Sequence, residues 1–442
     1  NMHLRNIISI GLLFASLVGS SGAWAVDCPQ NSYSFTTQAQ VDAFPQNCDS
    51  VLDRLTVANS TDITNIDALA NLTSLSDSVG GDLYIYGNAA LTNIDGLANL
   101  TSVGDELYIA NNTALINFDG LANLTSMGGN LSIYTNAALT NLRGLAKLTS
   151  VGGFLDIYDN DLLTNLEGLA NLTSVGGYLY FESNAALINL DGLANLTSVG
   201  GYLGIKTNDL LTNLGGLANL TSVGGYLGIE NNDLLTNIDG LANLTSVGDD
   251  LYIYTNAALT NIDGLANLTS VGDFLDIYDN DLLTNLEGLA NLTSVGGLLY
   301  ITDNTALTNC QGLAPVLGWP SGPPADSVGG EIDIVRNATG CNSVEEILAS
   351  YSLFDDGGFS YDVINATDVE MTGRALGNTD ADIVIPDTAV DGTTRYSVKT
   401  IGYEAFMHND LTSVTIPDSV TTIGEHAFKG NDLNSVTIPN SV

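Results

Sequence analysis

Apolar residues recur through most of this chain on a fixed ruler. The Leu of the phrase L-T-S falls at Leu100, Leu124, Leu148, Leu172, Leu196, Leu220, Leu244, Leu268 and Leu292, a constant step of 24. The unit reads L-T-S-V-G-G-x-L-x-I-x-x-N-x-x-L-T-N-L-x-G-L-A-N, and a period of that length is the signature of a repeat solenoid. Each apolar column then faces its own copy in the next coil. The core becomes a stack of Leu, Ile and Val ladders that no single coil could bury alone. Within the unit, x-L-x-I-x alternates with period two and follows a turn-forming Gly pair, as in Val151-Gly152-Gly153, which predicts one short strand per coil. Strands stacked at about 4.8 Å would make about eleven coils a rod about 50 Å long.

The polar positions keep the same ruler. Asn88, Asn112, Asn136, Asn160, Asn184, Asn208, Asn232, Asn256, Asn280 and Asn304 each sit five residues after a strand Leu, where the chain turns and its backbone groups meet an apolar interior. A ladder of buried amides, donating and accepting at once, is the expected solution. A second column, Asn93 through Asn309, is expected to do the same. Nine Asn-Leu-Thr tripeptides, from Asn71 to Asn291, match the glycosylation sequon; they would be a sugar-coated edge in a eukaryote and corner residues in a bacterium. Val151 to Gly177 and Val271 to Gly297 differ only at Gly153 versus Asp273, the mark of duplicated coils. The pattern frays at both ends. Ser60 replaces the ladder Asn in the first coil, and extra residues follow in Leu75 to Val79. The last coil, Gly329 to Asn337, is reached through an excursion containing Pro315, Trp319, Pro320, Pro323 and Pro324.

The unit L-x-I-x-x-N-x-x-L-T-N-L-x-G-L-x-x-L-x-x-V-G-G resembles the leucine-rich repeats of receptor L domains, over about residues 28 to 345. The opening Cys28 to Cys48, followed by Leu55 and Val57, is similar to the start of such a domain. The resemblance implies a right-handed coil with short parallel strands, mostly β and irregular. A second repeat follows at a step of 22: Ile401-Gly402 to Ala405-Phe406 recurs as Ile423-Gly424 to Ala427-Phe428, and Leu411 to Pro417 recurs as Leu433 to Pro439. It looks like the BspA-like leucine-rich repeats of bacterial surface proteins, and the lead-in from Phe359 through Ile385-Pro386 to Asp391-Gly392 is similar to what precedes such arrays. The expected division is a signal peptide at 1–25, an N-terminal cap pinned by a disulfide at 26–54, the solenoid at 55–348, a β-rich connection at 349–396 and truncated BspA-like repeats at 397–442. With Asn1 before Met2 and no cap after Val442, the expectation is a piece of a longer reading frame.

Composition narrows the function. Ten Lys and Arg stand against 50 Asp and Glu, a net charge of −40, which disfavours a nucleic-acid partner and a polybasic membrane anchor. Arg5, the apolar run Ile7 to Val18 and the small residues of Ala23-Trp24-Ala25 read as an export signal, and no stretch reaches the length of a membrane span. Export implies an oxidising compartment and therefore disulfides. Of the three pairings available to four Cys, the local one, Cys28 with Cys48 and Cys310 with Cys341, is expected.

Candidate chemistry is sparse. His408 and His426 are the only His after the signal, the Gly pairs form neither a dinucleotide fingerprint nor a P-loop, and no Ser or Cys nucleophile motif is present, so no enzyme is expected. Asp239, Asp263 and Glu287 stack in equivalent places, as do Asp95 and Asp119, leaving calcium as a candidate cation. Of 18 Tyr, thirteen fall at outward strand positions: Tyr84, Tyr86, Tyr108, Tyr134, Tyr158, Tyr178, Tyr180, Tyr202, Tyr226, Tyr252, Tyr254, Tyr278 and Tyr300. They are either a binding face or simply rings packing on neighbouring strands. The expected function is adhesion at the cell surface, through binding of an extracellular protein or glycan. A spacer or matrix protein without a ligand is the alternative, and an ice- or mineral-ordering Thr surface a further one.

Overall fold

The computed structural model describes residues 26–76, 80–318, 327–349, 354–365, 367–374, 379–391 and 394–442. The expected export signal, Val79, Trp319 to Pro324 and Gly392 lie outside them. The 24-residue unit is one coil of a solenoid. Its L-x-I segment is a strand, and the strands of the coils from Arg54–Ala58 through Leu299–Thr302 to Ile332–Val335, with Tyr33–Phe35 ahead of them, form one continuous thirteen-stranded sheet in chain order. Every pairing in it is parallel and in register with the repeat, Leu179 against Leu203 and Ile205 against Ile229 for example. The S-V dipeptides, from Ser50–Val51 to Ser294–Val295, form a second parallel sheet of eleven strands. A one-turn 3-10 helix on the D-G-L segment, such as Asp191–Leu193, joins the two in each coil.

Sequence explains why the coil closes there. Leu203, Ile205, Leu211, Leu214, Leu217, Leu220 and Val223 point inward from one coil and are at most 1% exposed; fully burying each is worth about 1.5–3 kcal/mol. The strand is ended by a residue in the left-handed region, Thr135, Asp159, Ser183, Thr207 and Asn231 in successive coils, with φ of 53–54°. Such a conformation is uncommon outside Gly, and here it delivers the next residue, the ladder Asn, into the interior.

The Asn ladder is buried throughout. Asn88 to Asn304 are 0% exposed. Asn208 Nδ2 donates to the carbonyls of Phe181 (3.1 Å) and Lys206 (3.0 Å), while its Oδ1 accepts the main-chain N–H of Asn184 at 3.2 Å. At the far end Asn337 continues the ladder and accepts from Asn304. At the near end Ser60 is too short to reach, and Asn88 Oδ1 has no partner among the described residues. The second Asn column behaves differently from expectation. Asn213 Oδ1 accepts the N–H of Gly215 at 3.0 Å, a local cap on the 3-10 helix at the half-exposed edge, and Asn93 through Asn309 repeat it. A side chain two residues before an N–H satisfies it locally, so burial is not needed.

The middle glycine of D-G-L answers a tight constraint. A Cβ placed on the middle residue of D-G-L would lie 1.6–2.0 Å from a main-chain oxygen of the preceding coil, from Gly96 through Gly312. Ala68 occupies that place only in the first coil, which is preceded by the short helix Gln38–Asp42 instead of another coil. Disulfides join Cys28 to Cys48 and Cys310 to Cys341, one pair at each end of the array.

A second core gathers Phe359, Tyr361, Val369, Met371, Val398, Phe406 and Val414. The 22-residue repeat stacks there in parallel, Ser413–Thr415 on Ser435–Thr437, with Phe406 and Phe428 stacked at 5.4 Å. Asn431 copies the amide ladder, accepting from Asn409 N and donating to Phe406 O. No helix among the described residues is long and apolar enough to cross a membrane.

Candidate ligand-binding face

The outward side chains of the thirteen-stranded sheet form three columns, set by register. Tyr178, Tyr202 and Tyr226 precede the strand Leu, Tyr84, Tyr108, Tyr180, Tyr252 and Tyr300 follow it, and Tyr86, Tyr134, Tyr158, Tyr254 and Tyr278 come two residues later. All thirteen tyrosines lie on this one face, but only Tyr278 is counted as exposed, at 41%. The rings half-bury one another. Phe154, Tyr178, Tyr202 and Tyr226 make a run of parallel rings with centroids 4.4–4.5 Å apart, and Tyr134 stacks on Tyr158 at 4.4 Å. In these stacks the ring faces are spent on each other, leaving edges and hydroxyls outward. Gly204 lies covered by the neighbouring ring, since a Cβ there would sit 2.3 Å from Tyr180.

The N-terminal end of the face differs. Tyr108 meets Tyr84 and Tyr86 edge-on, at 5.6 and 5.8 Å, so no parallel stack forms there. With Arg54, Thr56 and Glu106 they line a hollow of about 380 Å³. Arg54 lies over the Tyr84 ring at 4.7 Å and donates to Asp82 Oδ2 at 2.9 Å, and the Tyr84 hydroxyl donates to Glu106 Oε2 at 2.7 Å. Burial and then Glu106 push the Tyr84 phenol up, so it stays a neutral donor. Aromatic walls with a few fixed polar groups are what small ligand sites use. Arg54 escaped the sequence reading, since it sits in the irregular first coil. Its signal was a lone basic residue in the column that later carries Asp82 and Glu106. A second hollow, about 430 Å³, runs along the S-V sheet between Ser50, Ser74, Ser102 and Ser126 and offers no aromatic wall.

Other candidates resolve into structure. The L-T-S and L-T-N threonines donate their hydroxyls to the preceding coil, as Thr197 to Thr173 O (3.2 Å) and Thr260 to Thr236 O (3.1 Å), which explains their spacing without a mineral or ice surface. The sequon asparagines do likewise: Asn171 Nδ2 donates to Ala146 O at 2.7 Å. Stacking lifts the Asp263 carboxyl, through burial first and then Glu287 and Asp239. Among the described residues, however, no group of three or more His, Cys, Asp or Glu is placed to hold a metal ion, so the calcium idea attaches to no site. His426 lies 3.8 Å from Glu404 and 3.6 Å from Glu425.

Several carboxyls are pushed upward. Burial, then Glu182, lifts Asp156 to about 6; burial lifts Asp362 to about 6, and Asp276 and Glu370 rise as well. Unfolded carboxyls titrate near about 4. Between about pH 4 and 6 the folded chain therefore keeps protons that the unfolded chain has released, and stability falls as pH rises through that window. Asp62, Asp303 and Asp382 shift the other way, but at exposed sites where such effects are small. The melting temperature should be higher at pH 4.5 than at pH 7, by a few degrees on the order of 1 kcal/mol of stability, and Asp156→Asn should flatten the slope. A melting temperature that climbs from pH 4.5 to 7 would contradict this.

The family comparison bears on the terminal repeats. Residues 394–442 match the family model described as a BspA type leucine rich repeat region in six copies. Among solved structures, an internalin from Listeria monocytogenes is similar at 20% identity, covering 68% of this chain and 89% of its own, with a TM-score of 0.30. A leucine-rich repeat protein from Bacteroides ovatus is similar at 12% identity, covering 86% of this chain and 84% of its own, with a TM-score of 0.15. No curated protein matches the sequence. By its own fold the chain is a leucine-rich repeat solenoid, and its segment 394–442 carries the BspA type of that repeat.

Proposed function

We propose that the chain is an exported, non-enzymatic leucine-rich repeat protein of the bacterial cell surface whose strand face binds an extracellular protein or glycan. The observation that carries this is the break in the aromatic ladder: Tyr84, Tyr86 and Tyr108 meet edge-on and line a hollow with Arg54 and Glu106, whereas the rings from Phe154 to Tyr226 stack face to face on one another. An aromatic-lined hollow beside fixed charged groups suits sugar rings and protein side chains alike. A bonded Cys pair at each end supports export, since such bonds persist in oxidising compartments.

The spacer reading draws on the same ladder, because a run of stacked rings needs no ligand. Two triple variants, screened on a glycan array and on immobilised extracellular-matrix proteins, separate the readings. Tyr84, Tyr86 and Tyr108 replaced by Ser should lose binding by at least about tenfold. Tyr178, Tyr202 and Tyr226 replaced by Ser should bind normally but melt earlier, each stacked pair being worth about 0.5–1.5 kcal/mol. No binding by the unaltered protein to either panel, or binding indifferent to the first variant, favours the spacer.

A further inference from the structure

Most of the exposed large aliphatic side chains on the solenoid lie on one edge, just after the ladder Asn. Leu162, Leu210 and Leu234 are 51%, 45% and 46% exposed there, and Ile188, in the coil between the first two, is 47% exposed. Their inward neighbours Leu163, Leu187, Leu211 and Leu235 are 0% exposed, so the core is complete without them. Other coils carry Ala where these carry Leu, as at Ala90, Ala138 and Ala258. Ile188 N donates to Thr164 O at 3.4 Å, and Thr212 N to Ile188 O at 3.1 Å. These bonds hold the edge in register, so the side chains follow one another on successive coils about 4.8 Å apart. Leu282 has the same place but stands alone, with Ala258 and Ala306 in the coils on either side.

A continuous exposed apolar strip marks an interaction surface, and its charge selects the partner. Wherever Leu replaces Ala on this edge the residue before it is acidic, and Asp161, Asp209 and Asp233 along the strip are all exposed. With a net charge of −40 on the chain, a second copy would bring acidic rows together, whereas an apolar and basic partner is attracted. The period selects its conformation. A helix lying along the strip advances about 5.4 Å per turn and drifts about 2 Å from the coils between Leu162 and Leu234. A strand repeats one face about every 6.7 Å and drifts about 6 Å, more than a whole coil. We propose that this edge docks a cationic amphipathic helix of a partner protein. Its apolar stripe lies on Leu162, Ile188, Leu210 and Leu234, and its Lys or Arg side chains reach Asp161, Asp209 and Asp233. The strip is separate from the tyrosine hollow and does not depend on it.

Because any polycation is drawn to so acidic a protein, the test keeps charge constant and varies only the apolar surface. The probe is an amphipathic helix of Leu and Lys about 18 residues long, enough to span the strip. Its binding to the full chain is read by fluorescence anisotropy at pH 7 in about 0.15 M salt, where long-range attraction is screened. Leu210→Ala with Leu234→Ala installs the residue that other coils already hold, so the fold is kept, and should weaken binding by about tenfold. Ile116→Thr with Leu282→Ala removes two exposed aliphatic side chains from the same edge away from the strip, and should change it by less than about twofold. A peptide of the same composition reordered to lose its apolar stripe should bind at least about tenfold more weakly than the striped one. Equal binding of the two peptides, or equal effects of the two double variants, would overturn the proposal. So would a dimer of the unaltered chain in sedimentation that Leu210→Ala with Leu234→Ala dissociates, since the strip would then belong to a second copy. The variants at Tyr84, Tyr86 and Tyr108 leave this edge intact, so either surface can fail without the other.

Discussion

Gly192→Ala should cost the solenoid about 3 kcal/mol or more, although it adds one methyl group at a residue with an ordinary φ. The Cβ would lie 1.8 Å from the carbonyl oxygen of Leu166, an atom of the coil below that is fixed by the 3-10 helix following it. Overpacking against a side chain is relieved by a rotamer change, whereas main chain can yield only by separating two coils. Separation would stretch the contacts that flank it, the Asn160 to Asn184 amide bond and the pairing of Leu155 with Leu179. Ala68→Gly is the matched control. It occupies the same place in the first coil, where no coil lies beneath, and should lose only about 0.5–1 kcal/mol from added chain entropy. Urea denaturation of both reads the difference. A Gly192→Ala protein as stable as the Ala68→Gly protein would mean the coils are looser than described.

Asn208→Ala should be comparably severe, at about 3–5 kcal/mol. The amide serves Phe181 O and Lys206 O as a donor and Asn184 N as an acceptor, all inside a core where its own exposure is 0%. Removing it strands several main-chain groups, each costing about 1–3 kcal/mol when buried unsatisfied, and leaves a void besides. Asn213→Ala, a few residues on, removes a single cap at the half-exposed edge and should cost at most about 1 kcal/mol. Equal losses at the two positions in thermal or urea unfolding would refute the distinction between a buried ladder and a surface cap.

The sequence made the period, the strands and the buried amide ladder legible, because each rests on residue type at a constant spacing. Two other columns had no such signal. The left-handed residue before each ladder Asn is Thr135, Asp159, Ser183 or Asn231 in turn, so its identity varies while its backbone does not. The D-G-L glycine keeps the period but carries no sign of its cause, the close approach of main chain one coil away. The candidate site was half legible. Alternation placed thirteen tyrosines on one face, yet whether a ring shows its face or its edge depends on the side chain one coil away. In the duplicated coils Tyr158 lies flat on Tyr134 while Tyr278 meets Tyr254 edge-on, and Ser132 beside Asp156, against Tyr252 beside Asp276, decides that difference from outside the duplicated stretch.

The central claim is that the edge-on tyrosines around the hollow bind while the stacked ones build. Amide hydrogen exchange of the full chain, with and without a ligand selected from the glycan and matrix panels, tests it most directly. Protection should gather on Arg54–Ala58, Asp82–Tyr86 and Leu107–Ala110, the strands that carry the hollow. Protection confined to Leu203–Lys206 and Leu227–Glu230, beneath the stacked tyrosines, or found only along the S-V sheet, would contradict it.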